Sequence, residues 1–203
     1  MSMDRASLTN GSVVHTRAVT SRHGEWTDST GIEKSSASAA TFTESVAELQ
    51  QRTDVRIAVE NMFPVKVRGA EVNSYRPHWN PLSAGHRWFT LDLSHTATSG
   101  TDARELADRM GERLGHLHLA DGSGSSRDEH LVPGRGAQPC AEILEGLVRN
   151  GFDGAVVIEI STRGQDAESR ETDLAEALTF ARLNLATSSE APADSADSAG
   201  EGQ

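Results

Sequence analysis

Arg56-Ile57-Ala58-Val59-Glu60-Asn61 is a short run of mostly strand-forming residues that stops at an acid. Four further stretches repeat this pattern, each ending in His, Asp or Glu: residues 12–15, 88–92, 115–118 and 155–159. Loop residues follow each stretch, and in most cases a helical pattern comes next. In a parallel α/β barrel the C-terminal ends of the strands meet at one face, where sites are built. The pattern therefore predicts parallel strands whose polar ends converge on a metal.

Helical periodicity fills the segments between these stretches. A helix is predicted over residues 101–114, where apolar residues recur at helical spacing, with Thr101 as its N-cap and Gly115 just past its end. Further helices are predicted over residues 43–53, 139–150 and 168–185. The apolar face of the last helix is predicted to hold Leu174, Leu178, Ala181 and Leu185.

Strands that alternate with helices predict βα units and a parallel sheet, so the fold class is α/β. A closed barrel needs eight strands and about 250 residues, and this chain offers about five strands in 203 residues. The prediction is a partial (β/α)8 TIM barrel. Either it is an open partial barrel or the chain lacks its first three βα units.

The predicted barrel domain covers residues 1–186 and includes a Ser/Thr-rich loop over about residues 16–41. Residues 187–203 are rich in Ser, Ala, Asp and Glu, which predicts a disordered acidic tail. The net charge of −11 counts against DNA and anionic membranes as partners. The single Cys140 and the lack of a long apolar run favour a cytoplasmic protein.

Four of the strand ends supply Glu60, Asp92, His118 and Glu159, a set of three carboxylates and one imidazole. Such a mixed oxygen and nitrogen set suits a divalent metal such as Mn²⁺, Mg²⁺, Co²⁺ or Zn²⁺. Four more candidate ligands are expected in the same rim of loops: His15, His95, Asp128 and His130. Together they are enough for two or three metals.

Several of these residues also have an ordinary structural interpretation. Asp92 is a candidate helix cap for the turn that holds His95. For Asp128 and His130 the alternative is that they are ordinary polar residues of a loop. His116 is expected in the barrel interior, hydrogen-bonded and not a ligand. The remaining histidines in irregular segments are expected at the surface: His23, His78 and His86.

Trp79 lies in a long irregular loop over residues 61–87, where an aromatic side chain is expected either to wall a ligand site or to pack on the barrel rim. Arg135 is a candidate for a substrate phosphate or carboxylate, and its alternative is a solvated loop residue.

Several motifs occur in the order found in one superfamily: Val-Glu-Asn-Met at 59–62, Leu-Asp-Leu-Ser-His at 91–95, His-Leu-His-Leu-Ala-Asp at 116–121, Asp-Glu-His-Leu-Val-Pro-Gly-Arg-Gly at 128–136 and Val-Ile-Glu-Ile at 157–160. Over residues 12–185 the chain resembles the xylose isomerase-like TIM barrel superfamily. That group includes sugar phosphate isomerases and epimerases, ketose 3-epimerases and endonuclease IV.

The resemblance implies roles for the strand-end residues. Glu60, Asp92, His118 and Glu159 match the metal ligands shared by the superfamily. A second set matches positions where endonuclease IV holds additional zinc ions: His15, His95, Asp128 and His130. By the same resemblance His15 ends the fourth barrel strand, and three strands with a further His ligand would be missing before it.

Three functions are open at this point. The first is a metal-dependent isomerase or epimerase of a sugar or sugar phosphate, in which Glu60 and Glu159 transfer a proton beside a metal-chelated carbonyl. His95, Trp79 and Arg135 would bind the substrate. The second is zinc-dependent phosphodiester hydrolysis at abasic DNA. The third is an inactive truncated barrel that binds a metal weakly or folds only with a partner chain, such as a homo-oligomer covering an exposed strand edge.

Overall fold

A five-stranded parallel sheet forms the centre of the computed structural model, which describes residues 13–16, 18–19, 39–73 and 75–186. Its strands in spatial order are β1 (Val13–Thr16), β3 (Arg56–Glu60), β7 (Trp88–Asp92), β8 (Leu114–Leu119) and β9 (Ala155–Ile158). Every neighbouring pair is parallel. The five predicted strands of a partial barrel are thereby confirmed.

Small antiparallel pairs lie beside this sheet. Strand β2 (Ala18–Val19) pairs with β6 (Tyr75–Arg76), and β4 (Val65–Val67) pairs with β5 (Ala70–Val72). The segment predicted as one irregular loop over residues 61–87 therefore contains three short strands and a 3₁₀ turn at Leu82–Ala84.

Helices follow four of the five main strands, as expected for βα units, whereas β3 is followed by the short antiparallel strands and the 3₁₀ turn. They are α1 (Ala39–Gln51), α2 (Leu93–Ser99), α3 (Ala103–Met110), α4 (Cys140–Arg149) and α5 (Ala167–Ala186). The main core lies between β7, β8 and the helices α3 to α5, and it includes Phe89, Leu117 and Leu144, all fully buried. No helix of the described segments is long and apolar enough to cross a bilayer.

The helix predicted over residues 101–114 is shorter than expected. Asp102 caps α3, because its carboxylate accepts the backbone N–H groups of Arg104 and Glu105. The predicted cap, Thr101, lies one residue too early. Gly111, at a φ of 51°, follows the helix, and a 3₁₀ turn (Gly111–Arg113) leads directly into β8. Gly115 is therefore a strand residue and not a helix terminator.

Two further predictions about burial were wrong. Ala181 is buried and Leu185 packs against the core, as predicted, but Leu174 and Leu178 are exposed and the buried positions before Ala181 are Asp173 and Ala177. Asp173 can occupy that face because Arg135 and Gln165 contact its carboxylate. His86 is buried and not at the surface, because its ring lies edge-on to Phe42 and Phe89.

Some predictions concern residues outside the described ones. These are the tail over residues 187–203, most of the Ser/Thr-rich loop over residues 16–41, and His23.

Candidate metal centre

The carboxyl ends of three strands and the residue after a fourth bring together a four-ligand group: Glu60, Asp92, His118 and Glu159. Glu60 and Asp92 end β3 and β7, His118 is the penultimate residue of β8, and Glu159 directly follows β9. One ligand atom from each residue lies within 4.8 Å of all the others. The parallel register causes this convergence, since Asp92 pairs directly with His118.

One imidazole nitrogen faces three carboxylates in this group. His118 Nδ1 lies 2.9 Å from Glu60 Oε1, 3.2 Å from Asp92 Oδ2 and 2.7 Å from Glu159 Oε2. Glu60, Asp92 and His118 are buried, while the Glu159 side chain is 44% exposed and leaves the group open on one side. Crowded buried carboxylates are unfavourable without a cation between them.

The three carboxylates around His118 stabilise its protonated form and so raise its pKa. Burial alone would lower the pKa, but contacts with Asp92, Glu159 and Glu60 outweigh it and raise the pKa to about 11. Three carboxylate donors and one imidazole also match the ligand preferences of Mg²⁺, Mn²⁺, Co²⁺ and Zn²⁺. The four-ligand group therefore fits a divalent metal.

A three-ligand group adjoins the first and shares Asp92 with it: Asp92, His95 and His130. Asp128 lies beside these residues, with its Oδ1 3.0 Å from His130 Nε2 and its Oδ2 3.5 Å from His95 Nε2. Although burial acts to raise the pKa of Asp128, the two imidazoles hold it well below its usual range. The same contacts raise the pKa of His130 to about 9 against the opposing effect of burial.

Backbone carbonyls set the tautomers of both imidazoles. His95 Nδ1 donates to the Asn61 carbonyl at 2.8 Å, and His130 Nδ1 donates to the Glu159 carbonyl at 2.8 Å. A carbonyl oxygen only accepts, so each Nδ1 carries a proton and, in the neutral ring, each Nε2 presents a lone pair toward Asp128. His95 Nε2 is buried and makes no hydrogen bond with any residue of the described segments. A buried ring nitrogen whose nearby carboxylate is 3.5 Å away, and whose opposite N–H donates to a backbone carbonyl, fits a second metal ion.

Two supporting residues, Asn61 and Ser94, hold these ligands in place. The fully buried side chain of Asn61 accepts the backbone N–H of Asp92 at 2.7 Å and donates to the carbonyl of Asp92 at 3.1 Å. Ser94 Oγ donates to Asp128 Oδ1 at 2.9 Å and accepts the backbone N–H of His130 at 3.0 Å. Sequence reasoning assigned no role to either residue. The only local signal was their place beside Glu60 and His95.

Asp92 combines two roles that the sequence analysis treated as alternatives. Its Oδ1 accepts the backbone N–H of His95 at 2.9 Å and so caps α2. Its Oδ2 faces His118. Because of this cap, His95 lies in a helix and not at the strand-to-loop turn where it was predicted.

The other predicted site residues lie in mixed environments. Arg135 is paired with Asp173 and Glu176 of α5, which gives its guanidinium a structural partner. The ring of Trp79 is half-buried and stacks on that of the exposed His78, with 3.6 Å between centroids. His116 is buried next to His118, as predicted, and belongs to neither ligand group. The backbone of His15 pairs with Ala58, but its side chain lies outside the described part of the chain.

Comparison with known proteins identifies the family. The model of the xylose isomerase-like TIM barrel family matches residues 1–183. The chain belongs to this family.

Individual relatives agree with that assignment. An uncharacterised protein of Mycobacterium tuberculosis is 46% identical over 164 residues, covering 71% of this chain and 59% of that protein. Fructoselysine 3-epimerase of Escherichia coli O157:H7 is 36% identical over 55 residues, covering 27% of this chain and 20% of the enzyme. The crystal structure of a D-tagatose 3-epimerase-like protein superposes with a TM-score of 0.50 at 25% identity, covering 73% of this chain and 55% of that one. The chain thus spans less than two thirds of the length of these relatives.

Proposed function

We propose that this xylose isomerase-like protein is a metal-dependent isomerase or epimerase of a small sugar or sugar phosphate. The observation that carries the proposal is the four-ligand group, which places two glutamates and an aspartate around one imidazole nitrogen. The similarity to fructoselysine 3-epimerase and to the D-tagatose 3-epimerase-like structure favours a sugar carbonyl as the reacting group.

Glu60, Asp92, His118 and Glu159 would hold the divalent cation. When bound, the cation supplies Lewis-acid polarisation of a carbonyl oxygen, which makes a neighbouring C–H more acidic. Glu60 and Glu159 would then act on that carbon, one removing the proton and the other returning it. The hydrogen bond from His118 lowers the pKa of Glu159, which keeps this side chain a carboxylate at neutral pH. Its partial exposure provides the side from which a substrate would enter.

His95 and Trp79 would position the substrate. Arg135 would bind a substrate phosphate or carboxylate in competition with its ion pairs to Asp173 and Glu176. The buried His95 lies against Phe63, with 4.8 Å between ring centroids, so the ring is held by packing as well as by its hydrogen bond to Asn61. In a one-metal isomerase, where His95 Nε2 holds no second ion, a ring fixed in this way can orient a substrate hydroxyl without losing side-chain entropy on binding.

Deuterium exchange tests this function without requiring knowledge of the natural sugar. The chain is stripped of metal, reloaded with Mn²⁺ or Co²⁺ and incubated in D₂O with a panel of ketoses, and NMR follows deuterium entry next to the carbonyl. We expect metal-dependent exchange that is lost in Glu60→Gln and Glu159→Gln and kept in the exposed control Glu105→Gln. Exchange that persists in Glu159→Gln would contradict the mechanism.

A second candidate is zinc-dependent phosphodiester hydrolysis at abasic DNA. It is favoured by one observation, the three-ligand group with Asp128, because a single-metal isomerase does not need it. The net charge of −11 counts against a polyanionic substrate. Cleavage of an abasic oligonucleotide by the Zn²⁺-loaded chain, together with salt-dependent DNA binding, would favour this candidate over the isomerase.

A further inference from the structure

Asp121 is a fully buried carboxylate that belongs to neither ligand group. It lies two residues after β8, at the start of a segment over residues 121–138 that we call the rim loop. This loop carries Asp128 and His130. Burying a charge is costly unless strong hydrogen bonds compensate for it, so the partners of Asp121 indicate its role.

Four backbone N–H groups of the rim loop donate to this single carboxylate. Oδ1 accepts from Gly122 at 2.8 Å and from Gln138 at 2.9 Å. Oδ2 accepts from Gly134 at 2.9 Å and from Gly136 at 3.0 Å. The donors come from both ends of the loop, so the carboxylate fastens the end of the loop to its beginning.

The backbone of Asp121 fixes the middle of the loop as well. Its N–H and C=O exchange two hydrogen bonds with Leu131, each 2.8 Å long. Leu131 directly follows His130, whose backbone adopts a φ of 49°, a left-handed conformation that costs energy in a non-glycine residue. The bridge to Asp121 therefore helps to hold His130 in the conformation that turns its Nε2 toward Asp128.

Glycine is required where the loop closes on the carboxylate. A Cβ at Gly136 would lie 2.3 Å from Asp121 Oδ1, and nothing that close can be accommodated without moving the loop. The glycine thus allows the backbone to approach Asp121 closely enough for its N–H to donate.

We propose that Asp121 is a positioning residue: its carboxylate organises the rim loop so that Asp128 and His130 meet His95 in metal-binding geometry. The proposal rests on the three-ligand group being a metal site, the feature on which the second candidate function also rests. It assigns Asp121 no contact with metal or substrate.

Asp121→Asn is the sharpest variant, since it keeps the size of the side chain but replaces one acceptor oxygen with an N–H₂ group. That group would face backbone donors, so two of the four hydrogen bonds would be lost. Asp102→Asn is the matched control, because Asp102 also accepts two backbone N–H groups, but at the exposed start of α3.

Two measurements are needed, and the first requires no metal. Hydrogen exchange of the metal-free protein, followed by NMR, reports the amides of Gly122, Gly134, Gly136 and Gln138. In Asp121→Asn we expect them to exchange about tenfold faster or more, while the amides of β8 and α4 stay protected. Unchanged protection of these four amides would overturn the proposal.

The second measurement is a Co²⁺ titration followed by visible absorption. We expect wild type and Asp102→Asn to bind two ions, and Asp121→Asn to keep the ion of the four-ligand group but bind the other at least about tenfold more weakly. Equal weakening of both ions, or a wild type that binds only one, would overturn the proposal. In the latter case proton transfer at the four-ligand group would still stand, because the D₂O exchange assay tests it separately.

Gly136→Ala provides an independent route if Asp121→Asn does not fold. It leaves the carboxylate intact and pushes the loop away from it, so the same selective loss of the second Co²⁺ ion is expected. Gly146→Ala, in α4, is its control, since an added Cβ there meets no atom closer than 3.8 Å. A Gly136→Ala protein that binds both ions like wild type would contradict the role of the loop closure.

Discussion

At the amino end of the sheet, Arg56 of β3 meets the exposed Asp153 through two hydrogen bonds of 2.8 and 2.7 Å and lies over the ring of Trp88. At the carboxyl end of the same strand, Glu60 lies buried among two further carboxylates, with the imidazole of His118 at 2.9 Å and that of His95 at 3.7 Å. The amino end balances its charges in pairs, whereas the carboxyl end gathers like charges. In barrels of this type the amino face serves stability and the carboxyl face serves chemistry. The difference supports the proposal that the carboxyl end of the sheet holds a cation.

Replacing the shared ligand should have the largest effect on that end. Asp92→Ala removes an oxygen from both ligand groups, and we expect metal affinity to fall by more than about 100-fold, beyond what loss of a supporting residue costs. It should also destabilise α2 by about 1 kcal/mol through loss of the cap. Metal titration and thermal unfolding measure the two effects.

Two controls separate the ligand from the cap. Asp92→Asn can still cap α2, so it should lose metal without the loss of about 1 kcal/mol that the missing cap causes in Asp92→Ala. Asp102→Ala loses the cap of α3 and should keep its metal. If Asp92→Asn bound metal like wild type, Asp92 would be a helix cap only.

Loss of Asn61 should have the next largest effect. Asn61→Ala leaves the buried N–H and C=O of Asp92 without their side-chain partner, which costs about 1–3 kcal/mol. Metal affinity should fall by about 10- to 100-fold, because Asp92 loses its orientation, whereas the backbone carbonyl of residue 61 can still accept from His95. Urea unfolding and metal titration of this variant are compared with Asn150→Ala, an exposed position after α4. Equal behaviour of the two variants would contradict a positioning role.

The pH dependence of the metal-free protein provides a third comparison. Carboxylate contacts raise the pKa of His118 to about 11 and that of His130 to about 9, above the ordinary histidine value of 6.5, although burial opposes both shifts. The folded state therefore binds more protons than the unfolded state above pH 6.5. Stability should be greatest between about pH 4.5 and 6.5, because the lowered pKa values of Asp128 and Glu159 remove stability in more acid solution, and it should fall as pH rises toward 9 and then 11.

Bound metal should reduce this fall, because a cation replaces the protons as the ligands are deprotonated. Urea unfolding at pH 6, 7, 8 and 9, with and without Mn²⁺, measures the effect, and His118→Gln should flatten the metal-free profile. A metal-free protein that gains stability between pH 7 and 9 would contradict the charge arrangement described above.

The smallest effect is expected at the amino end. Asp153→Asn removes one partner of an ion pair in which Asp153 is 70% exposed, so the cost should be at most about 1 kcal/mol. Metal affinity should not change. A loss of affinity comparable to that of Asn61→Ala would mean that the two ends are not independent.

The sequence predicted the strand ends well because each one is a local pattern. A strand-forming run that stops at Glu60 or Asp92 marks the end of its strand in the local sequence. The parallel arrangement of the strands then brings those ends together. The four predicted ligands indeed meet within 4.8 Å.

The supporting contacts could not be predicted in this way, because they join residues far apart in sequence. Asn61 holds Asp92 across 31 positions, and Ser94 holds Asp128 across 34. Part of the buried face of α5 was misassigned for a similar reason, since the ion pair with Arg135 allows Asp173 to lie on the buried face, where Leu174 was expected. Composition and periodicity carry no record of such pairings.

Metal binding by the purified chain tests the central claim most directly. The protein is stripped with chelator, titrated with Mn²⁺, Co²⁺ or Zn²⁺ in a calorimeter, and unfolded thermally with and without the ion, in parallel with Glu159→Gln. We expect stoichiometric uptake and a higher melting temperature for the wild type, since metal at 100 times its Kd adds about 2.7 kcal/mol of stability. An unchanged melting temperature with no measurable uptake would contradict the claim that the carboxyl end of this sheet is a metal centre.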